Sequence, residues 1–399
     1  MQTEAGWVGD LRPRFPDVQR IAVLRGSGIG DLVQALPAAE ALAAAYPGGE
    51  LTLLGTPAHV ALLSGRPSPF AGVEALPLRT GVREGGPEDP AATAAFLEHQ
   101  RRRRFDLAVQ LHGGGRNSNP FLLALGARHT VGSRTQDAAA LERSRPYVYY
   151  QHEVLRGLEV VALAGAAPVS LEPRLPLTPA EQRRRQSASG EPTVVLHPGA
   201  TDPRRRWPPA AFAAVARALV NDGVRVVVVG DADDVAAAEE ICARVGDGQG
   251  RVGDGQGRVG DGQGRVSSRA GQQTLPELVA ELVGSTVVLA DDSGPRHVAA
   301  ALGVPTVGIY WVGNLVNAGP LGRSRHRVQV GFATACPECG RDLTQVGWTA
   351  ERCEHVFSVV ADVPVERVLA DVVDLLDDAR AGSRTGAQDE PGGGHGPVG

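Results

Sequence analysis

Ile21-Ala22-Val23-Leu24-Arg25-Gly26-Ser27-Gly28-Ile29-Gly30-Asp31 is the stretch that decides the fold. A short apolar run ends in a glycine-rich turn, and beyond it Leu32, Ala35, Leu36, Ala39 and Leu42 recur at helical spacing on one face. A strand that turns over glycines into a helix opens a βαβ unit, whose parallel strands are buried on both faces. Leu51–Leu54 and Asp106–Leu111 read as further strands, with a helix from about Pro90 to Arg104 between them.

The rhythm breaks near Leu177–Pro192, where Pro, Gly, Ser and the Arg183–Arg185 run read as a linker. It restarts with a strand at Thr193–Leu196 and a helix carrying Phe212, Val215, Ala216 and Leu219 on one face. Strands at Arg225–Val229, Val287–Leu289 and Thr306–Tyr310 follow, again separated by helices. The expected organisation is an N-terminal αβ domain over 1–180, a linker over 181–192 and a C-terminal αβ domain over 193–380. Ligand clefts in such sheets lie outside the C-terminal ends of the strands.

Arg-Val-Gly-Asp-Gly-Gln-Gly occurs three times in tandem from Arg244, making 244–266 a low-complexity insertion. It lacks the ligand ladder of a calcium loop and reads as a flexible surface expansion, and the tail 381–399 reads as disordered.

Composition narrows the function classes. With 42% apolar residues a 399-residue chain can bury two cores, and with only 4% aromatics Ala, Val and Leu must fill them. The net charge of -5 gives no pull toward nucleic acid or anionic membrane. The sequence contains no Lys, so any phosphate-binding cation must be Arg, with its planar fork of donors. The first twenty residues hold no apolar signal region, and no run approaches the roughly 18 residues of a membrane span. The expectation is a cytoplasmic protein with at most peripheral membrane contact.

Three motifs carry chemistry. In the first, glycines allow close approach to a ligand at a helix N-terminus, as in a dinucleotide fingerprint. That fingerprint would need Gly at position 31, where Asp stands, and the ribose acid expected after the second strand is absent. Asp31 can cap its helix or take a proton, and both readings stay open here. The second is His197-Pro198-Gly199-Ala200, followed by Arg204-Arg205-Arg206-Trp207-Pro208. Arg there can bind a diphosphate in bidentate fashion, or merely face solvent. The third is Asp291-Asp292-Ser293-Gly294-Pro295-Arg296-His297, running from a buried strand into an Ala-rich helix. Ser293, the Gly294 N–H and the helix dipole make a seat for a phosphate.

Together these motifs resemble glycosyltransferase family 9, the heptosyltransferases, over roughly Ile21 to Leu376. The resemblance implies an α/β GT-B fold, two Rossmann-like αβα domains facing across a cleft. It implies inverting sugar transfer without a metal or other cofactor, from a nucleotide-diphosphate donor such as ADP-heptose to a glycan, glycolipid or metabolite hydroxyl. By matching positions Asp31 would be the general base. Gly199, Ala200, Arg205, Arg206, Gly230, Asp234, Asp292, Ser293, Gly294, Pro295 and His297 would bind the donor, with Asp234 near the ribose. Gly28, Gly30, His112 and Arg116 would serve the acceptor. The loop Trp311-Val312-Gly313-Asn314 departs from the family's Gly-Pro-Thr/Ser, which leaves the donor open. Cys336-x-x-Cys339 with Cys353-x-His355 has the spacing of a zinc knuckle, though a metal-free role is the weightier expectation. The competing functions are an NAD-linked oxidoreductase, a nucleotide-sugar epimerase and a catalytically silent paralogue.

Overall fold

The structure, a computed structural model, describes residues 8–187, 190–246, 265–344 and 352–386. Its first half runs β1 (Arg20–Leu24), α1 (Ile29–Ala45), β2 (Glu50–Gly55), α2 (Pro57–Leu63), β3 (Gly72–Ala75), α3 (Pro90–Arg102), β4 (Leu107–Gln110), α4 (Ser118–Leu123), β5 (His129–Arg134), β6 (Arg143–Pro146) and α5 (Glu153–Ala162). After α6 (Pro179–Ser187) the second half runs β7 (Thr193–His197), α7 (Pro209–Asn221), β8 (Arg225–Val228), α8 (Val235–Gly246), β9 (Val266–Ser268), α9 (Leu275–Val283), β10 (Val287–Asp291), α10 (Gly294–Ala301), β11 (Thr306–Trp311), α11 (Val312–Ala318), β12 (His326–Gly331) and α12 (Val365–Gly386).

Each half is one parallel six-stranded sheet, ordered β3-β2-β1-β4-β5-β6 and β12-β11-β10-β7-β8-β9. These are the same doubly wound topology, with the direction of winding reversing between β1 and β4 and between β7 and β10. The apolar strands register as the pattern requires: Ile21–Leu24 lies level with Leu51–Leu54, and Val194–Leu196 with Val287–Leu289. Chain segments that follow β1, β4, β7 and β10 therefore gather at the two reversal points, and all three motifs lie on such segments.

One apolar core runs through both halves. It passes from Ile21 and Val23 through Val33 and Leu36 of α1 to Val298 and Ala299 of α10, and on to Val288 and Ala290. The two helix starts meet so closely that a Cβ on Gly30 would lie 2.9 Å from His297 Cδ2, and one on Gly294 would lie 2.7 Å from Ile29 Cγ1. Separate cores fill the outer face of each sheet, with Trp207 fully buried in the second and its indole N–H donating to the Val363 carbonyl at 3.1 Å.

Part of the stretch read as a linker, 181–187, is helical. Most of α6 lies there, opened by a capping box in which Glu181 Oε2 accepts the Thr178 N–H at 2.9 Å and Thr178 Oγ1 accepts the Glu181 N–H at 3.3 Å. Glu181 is also bound by both Arg66 terminal nitrogens, at 2.8 and 2.6 Å, fastening α6 to the first half. Of the tail read as disordered, 381–386 continue α12, whereas 387–399 lie outside the described residues. Of the tandem repeat, Arg244–Gly246 close α8 and Val266 opens β9, whereas 247–264 lie outside the described residues.

Candidate active site

A cleft of about 760 Å³ opens where the two reversal points face each other. Its N-terminal wall is the turn between β1 and α1. Ser27 is held there at φ 67, in the left-handed region that a side chain with a Cβ seldom adopts. Two buried groups hold that turn. His59 meets the Gly28 carbonyl through Nε2 at 3.0 Å, and its Nδ1 accepts the Thr56 N–H at 3.2 Å. Arg25 donates to the Asp31 carbonyl at 3.1 Å, to Asp31 Oδ1 at 2.6 Å and to Glu153 Oε2 at 3.3 Å. Burial works against the Arg25 charge, but the two carboxylates outweigh it and the net shift is upward.

Asp31 is thus a cap and something more. Its Oδ2 accepts the Gly28 N–H at 3.1 Å, while its side chain stays 42% exposed on the cleft wall. A carboxylate oriented by a buried guanidinium and open to solvent on its other edge can accept a proton from a bound hydroxyl.

The facing wall is the segment after β10. Asp292 accepts from Arg205 Nη1 at 3.1 Å, Asn314 Nδ2 at 2.8 Å and His297 Nε2 at 3.3 Å. Burial pushes this carboxyl upward, but the His297 bond and the Arg205 and Arg296 charges outweigh it and hold it at about 2. Its neighbour Asp291 goes the other way, raised by burial although it accepts the Trp207 N–H. Burial and the adjacent Arg296 lower His297, so its ring is neutral near neutral pH. Its Nδ1 then accepts from Gln34 of α1 at 2.9 Å, a hydrogen bond that crosses between the halves. Arg205, 22% exposed, retains guanidinium donors beyond the one given to Asp292, beside Ser293 and Gly294 at the start of α10.

The predicted residues sort into distinct places. Gly28, Gly30, Asp31, His112, Arg205, Asp292, Ser293, Gly294 and His297 all line this cleft, and Pro295 stands in the first turn of α10. Gly199, Gly230 and Asp234 form a packed plug instead: a Cβ on Gly199 would meet Asp234 Oδ2 at 2.3 Å, and one on Gly230 would meet Asp234 Cβ at 2.5 Å. Asp234 Oδ2 accepts the Asp231 N–H at 3.2 Å, and burial raises its pKa. Arg206 fastens the same region, donating to the Ala200 carbonyl at 3.0 Å. Arg116 lies apart, 78% exposed and paired with Asp137 at 3.4 Å, in a second groove of about 1050 Å³. His112 lines both cavities and so marks where they join. Cys336, Cys339, Cys353 and His355 are brought together elsewhere, with one ligand atom from each within 4.8 Å of the rest. Sequence reasoning missed Arg25, Gln34, Glu153 and His59, which carry no motif. It had noted the loop containing Asn314 only as a departure.

Burial lowers His112 and His197 to about 4, and His326 to about 4 as well. A depressed imidazole contributes stability that is present above its unfolded value of about 6.5 and is lost as pH falls toward 4. Asp291, shifted oppositely, offsets part of this. Urea melts are expected to show stability several kcal/mol lower at about pH 4.5 than at about pH 7. Equal stability at both would mean that the rings are accessible to protons in the folded state.

Two facing doubly wound sheets with a ligand cleft between their reversal points define the GT-B class. A profile of glycosyltransferase family 9 (heptosyltransferase) matches residues 94–345. The chain is 26% identical to lipopolysaccharide heptosyltransferase 2 of Salmonella typhimurium over 73% of its own length and 82% of the relative's. It is 25% identical to lipooligosaccharide heptosyltransferase 2 of Haemophilus influenzae over the same shares. The solved structure of ADP-heptose lps heptosyltransferase II from E. coli superposes with a TM-score of 0.68 at 22% identity, covering 91% of this chain and 99% of that one. The chain belongs to glycosyltransferase family 9 and is a nucleotide-sugar glycosyltransferase. The oxidoreductase reading is thereby set aside. No helix among the described residues is long and apolar enough to cross a membrane.

Proposed function

We propose that the chain transfers a heptose or closely related sugar from an ADP-linked donor to a glycan hydroxyl in one inverting displacement, at the cytoplasmic side of the envelope. Supporting observations are the similarity to heptosyltransferases and the placement of Asp31 opposite Arg205, Ser293 and the α10 N-terminus across one cleft. The acceptor oxygen attacks the anomeric carbon, its proton passes to Asp31, and the bond to the diphosphate oxygen breaks on the far side. Arg205 and the unpaired N–H groups of α10 take up the charge on the leaving diphosphate, a task that otherwise falls to a metal ion. Opposite placement of base and leaving group favours inversion.

In this reading residues 1–180 serve the acceptor and 193–380 the donor, and the groove carrying Arg116 receives the acceptor glycan. Two buried acceptor atoms without hydrogen-bond partners, Gln34 Oε1 and Asn317 Oδ1, belong to residues lining the cleft and suit the hydroxyls of a sugar. The plug of Gly199, Gly230 and Asp234 shapes the donor side, with Asp234 packed beneath the two glycines.

A thermal-shift panel of ADP, UDP, GDP, TDP, ADP-heptose and NAD, without magnesium or manganese, tests the donor. A ligand at about a hundred times its dissociation constant adds roughly 2.7 kcal/mol. Selective stabilisation by ADP and ADP-heptose is expected. A preference for UDP or TDP species would overturn the donor, and silence toward every nucleotide would favour a catalytically silent paralogue.

A further inference from the structure

We propose that Cys336, Cys339, Cys353 and His355 bind one zinc ion, and that this ion staples the hairpin 335–342 to the strap 352–363, which packs on the loop that carries Arg205. The proposal goes beyond sugar transfer and does not depend on it.

The first ligand pair sits in a tight hairpin. Ala335 bridges to Asp342 in antiparallel fashion, Cys336 N–H donates to the Arg341 carbonyl at 2.8 Å, and Gly340 N–H donates to the Cys336 carbonyl at 2.9 Å. Gly340 has φ 70, which closes the turn after Cys339. The backbone N–H groups of Glu338 and Cys339 are directed at the Cys336 sulfur.

The second pair completes a closed set. Cys353 is buried, and the Cys336 sulfur lies 3.5 Å from His355 Nδ1. The other ring nitrogen of His355, Nε2, is 3.5 Å from the Glu338 carboxylate. Carboxylate–imidazole–metal order is the arrangement that fixes a ligand histidine's tautomer and orientation. Three sulfurs and one nitrogen make a soft four-ligand set that suits zinc over hard cations. All four cysteines of the described chain are free, including Cys242, which stands apart from the cluster.

The strap beyond the cluster lies along the donor-side loop. Arg352 pairs with Asp202 at 3.3 Å, Ser358 Oγ donates to the Arg206 carbonyl at 2.7 Å, and Val359 N–H donates to the Arg204 carbonyl at 2.7 Å. Arg204 itself is held by Asp202 at 2.6 Å. Tyr150 of the first half donates from its hydroxyl to the Thr344 carbonyl, so the hairpin touches both halves. An ion holding 336–339 to 353–355 thus limits how far 202–206 can move.

Elemental analysis of the full chain, grown with zinc and passed through gel filtration, tests the site. One zinc per chain is expected, retained in Cys242→Ser and lost in Cys336→Ser and Cys353→Ser. Glu338→Gln should keep the fold and weaken zinc affinity about ten-fold or more, read by competition with a chromophoric chelator. Should the cysteine variants fail to fold, wild-type chain answers alone: a mercurial thiol reagent should release one zinc, and cobalt(II) in its place should show the intense visible bands of a tetrahedral thiolate site. Iron in the purified chain, a Cys336–Cys339 disulfide, or a chain that takes up neither zinc nor cobalt would overturn the proposal.

Discussion

Replacing Asp31 with Asn is expected to lower kcat by about 10²–10⁴ while leaving the donor KM within about three-fold. The substitution keeps the shape of the side chain and an oxygen for the Gly28 N–H, but removes the site that would receive the acceptor proton. Arg25 loses one of its two carboxylates and keeps Glu153, so the buried charge is not stranded. Stability should fall by only about 1–3 kcal/mol. Steady-state kinetics with saturating acceptor, alongside a thermal melt, separates the two effects. A variant with most of its turnover and intact donor binding would reduce Asp31 to a helix cap.

Arg205→Ala should lower kcat/KM by about 10²–10³, mostly through the donor and the leaving diphosphate. The mechanism differs from that of Asp31, because Arg205 also neutralises Asp292, a carboxylate 5% exposed and held at about 2. Its loss leaves Asp292 with Asn314 and His297, and a melting temperature several degrees lower is expected. Arg205→Lys distinguishes the contributions: a point charge restores the pairing with Asp292 but not the fork that grips a diphosphate. Recovery of stability with kcat/KM still at least ten-fold down is therefore expected. If Lys restores activity fully, Arg205 acts only by keeping Asp292 in place.

Most interior strands were legible because burial on both faces makes them continuous apolar runs: β1, β2, β4, β7, β8, β10 and β11 were read this way, whereas interior β5, with His, Thr, Gly, Ser and Arg around Val131, was not. Edge strands escaped notice. β6, Arg143–Pro146, and β3, Gly72–Ala75, are half-exposed and have too few apolar residues to stand out. α6 was hidden by its Arg run, although Thr178 and Glu181 carry the spacing of a capping box. In the site, residues that carry a motif were legible and those supporting them were not. Arg25 joins Glu153 across 128 positions and Gln34 joins His297 across 263, and no local pattern encodes a partner that distant. Asp234 shows the converse: the resemblance expects it near the ribose, and its packing under Gly199 and Gly230 was not foreseeable without backbone geometry.

The meeting of Gly30 with Gly294 constrains how this chain can change over generations. In the separate outer cores each half can drift alone, swapping one apolar residue for another of similar size inside its own sheet. At that point a methyl added in either half meets a side chain of the other, His297 Cδ2 at 2.9 Å from Gly30 or Ile29 Cγ1 at 2.7 Å from Gly294. Recombination that joins halves from different lineages must therefore match this one fit before donor or acceptor preference matters.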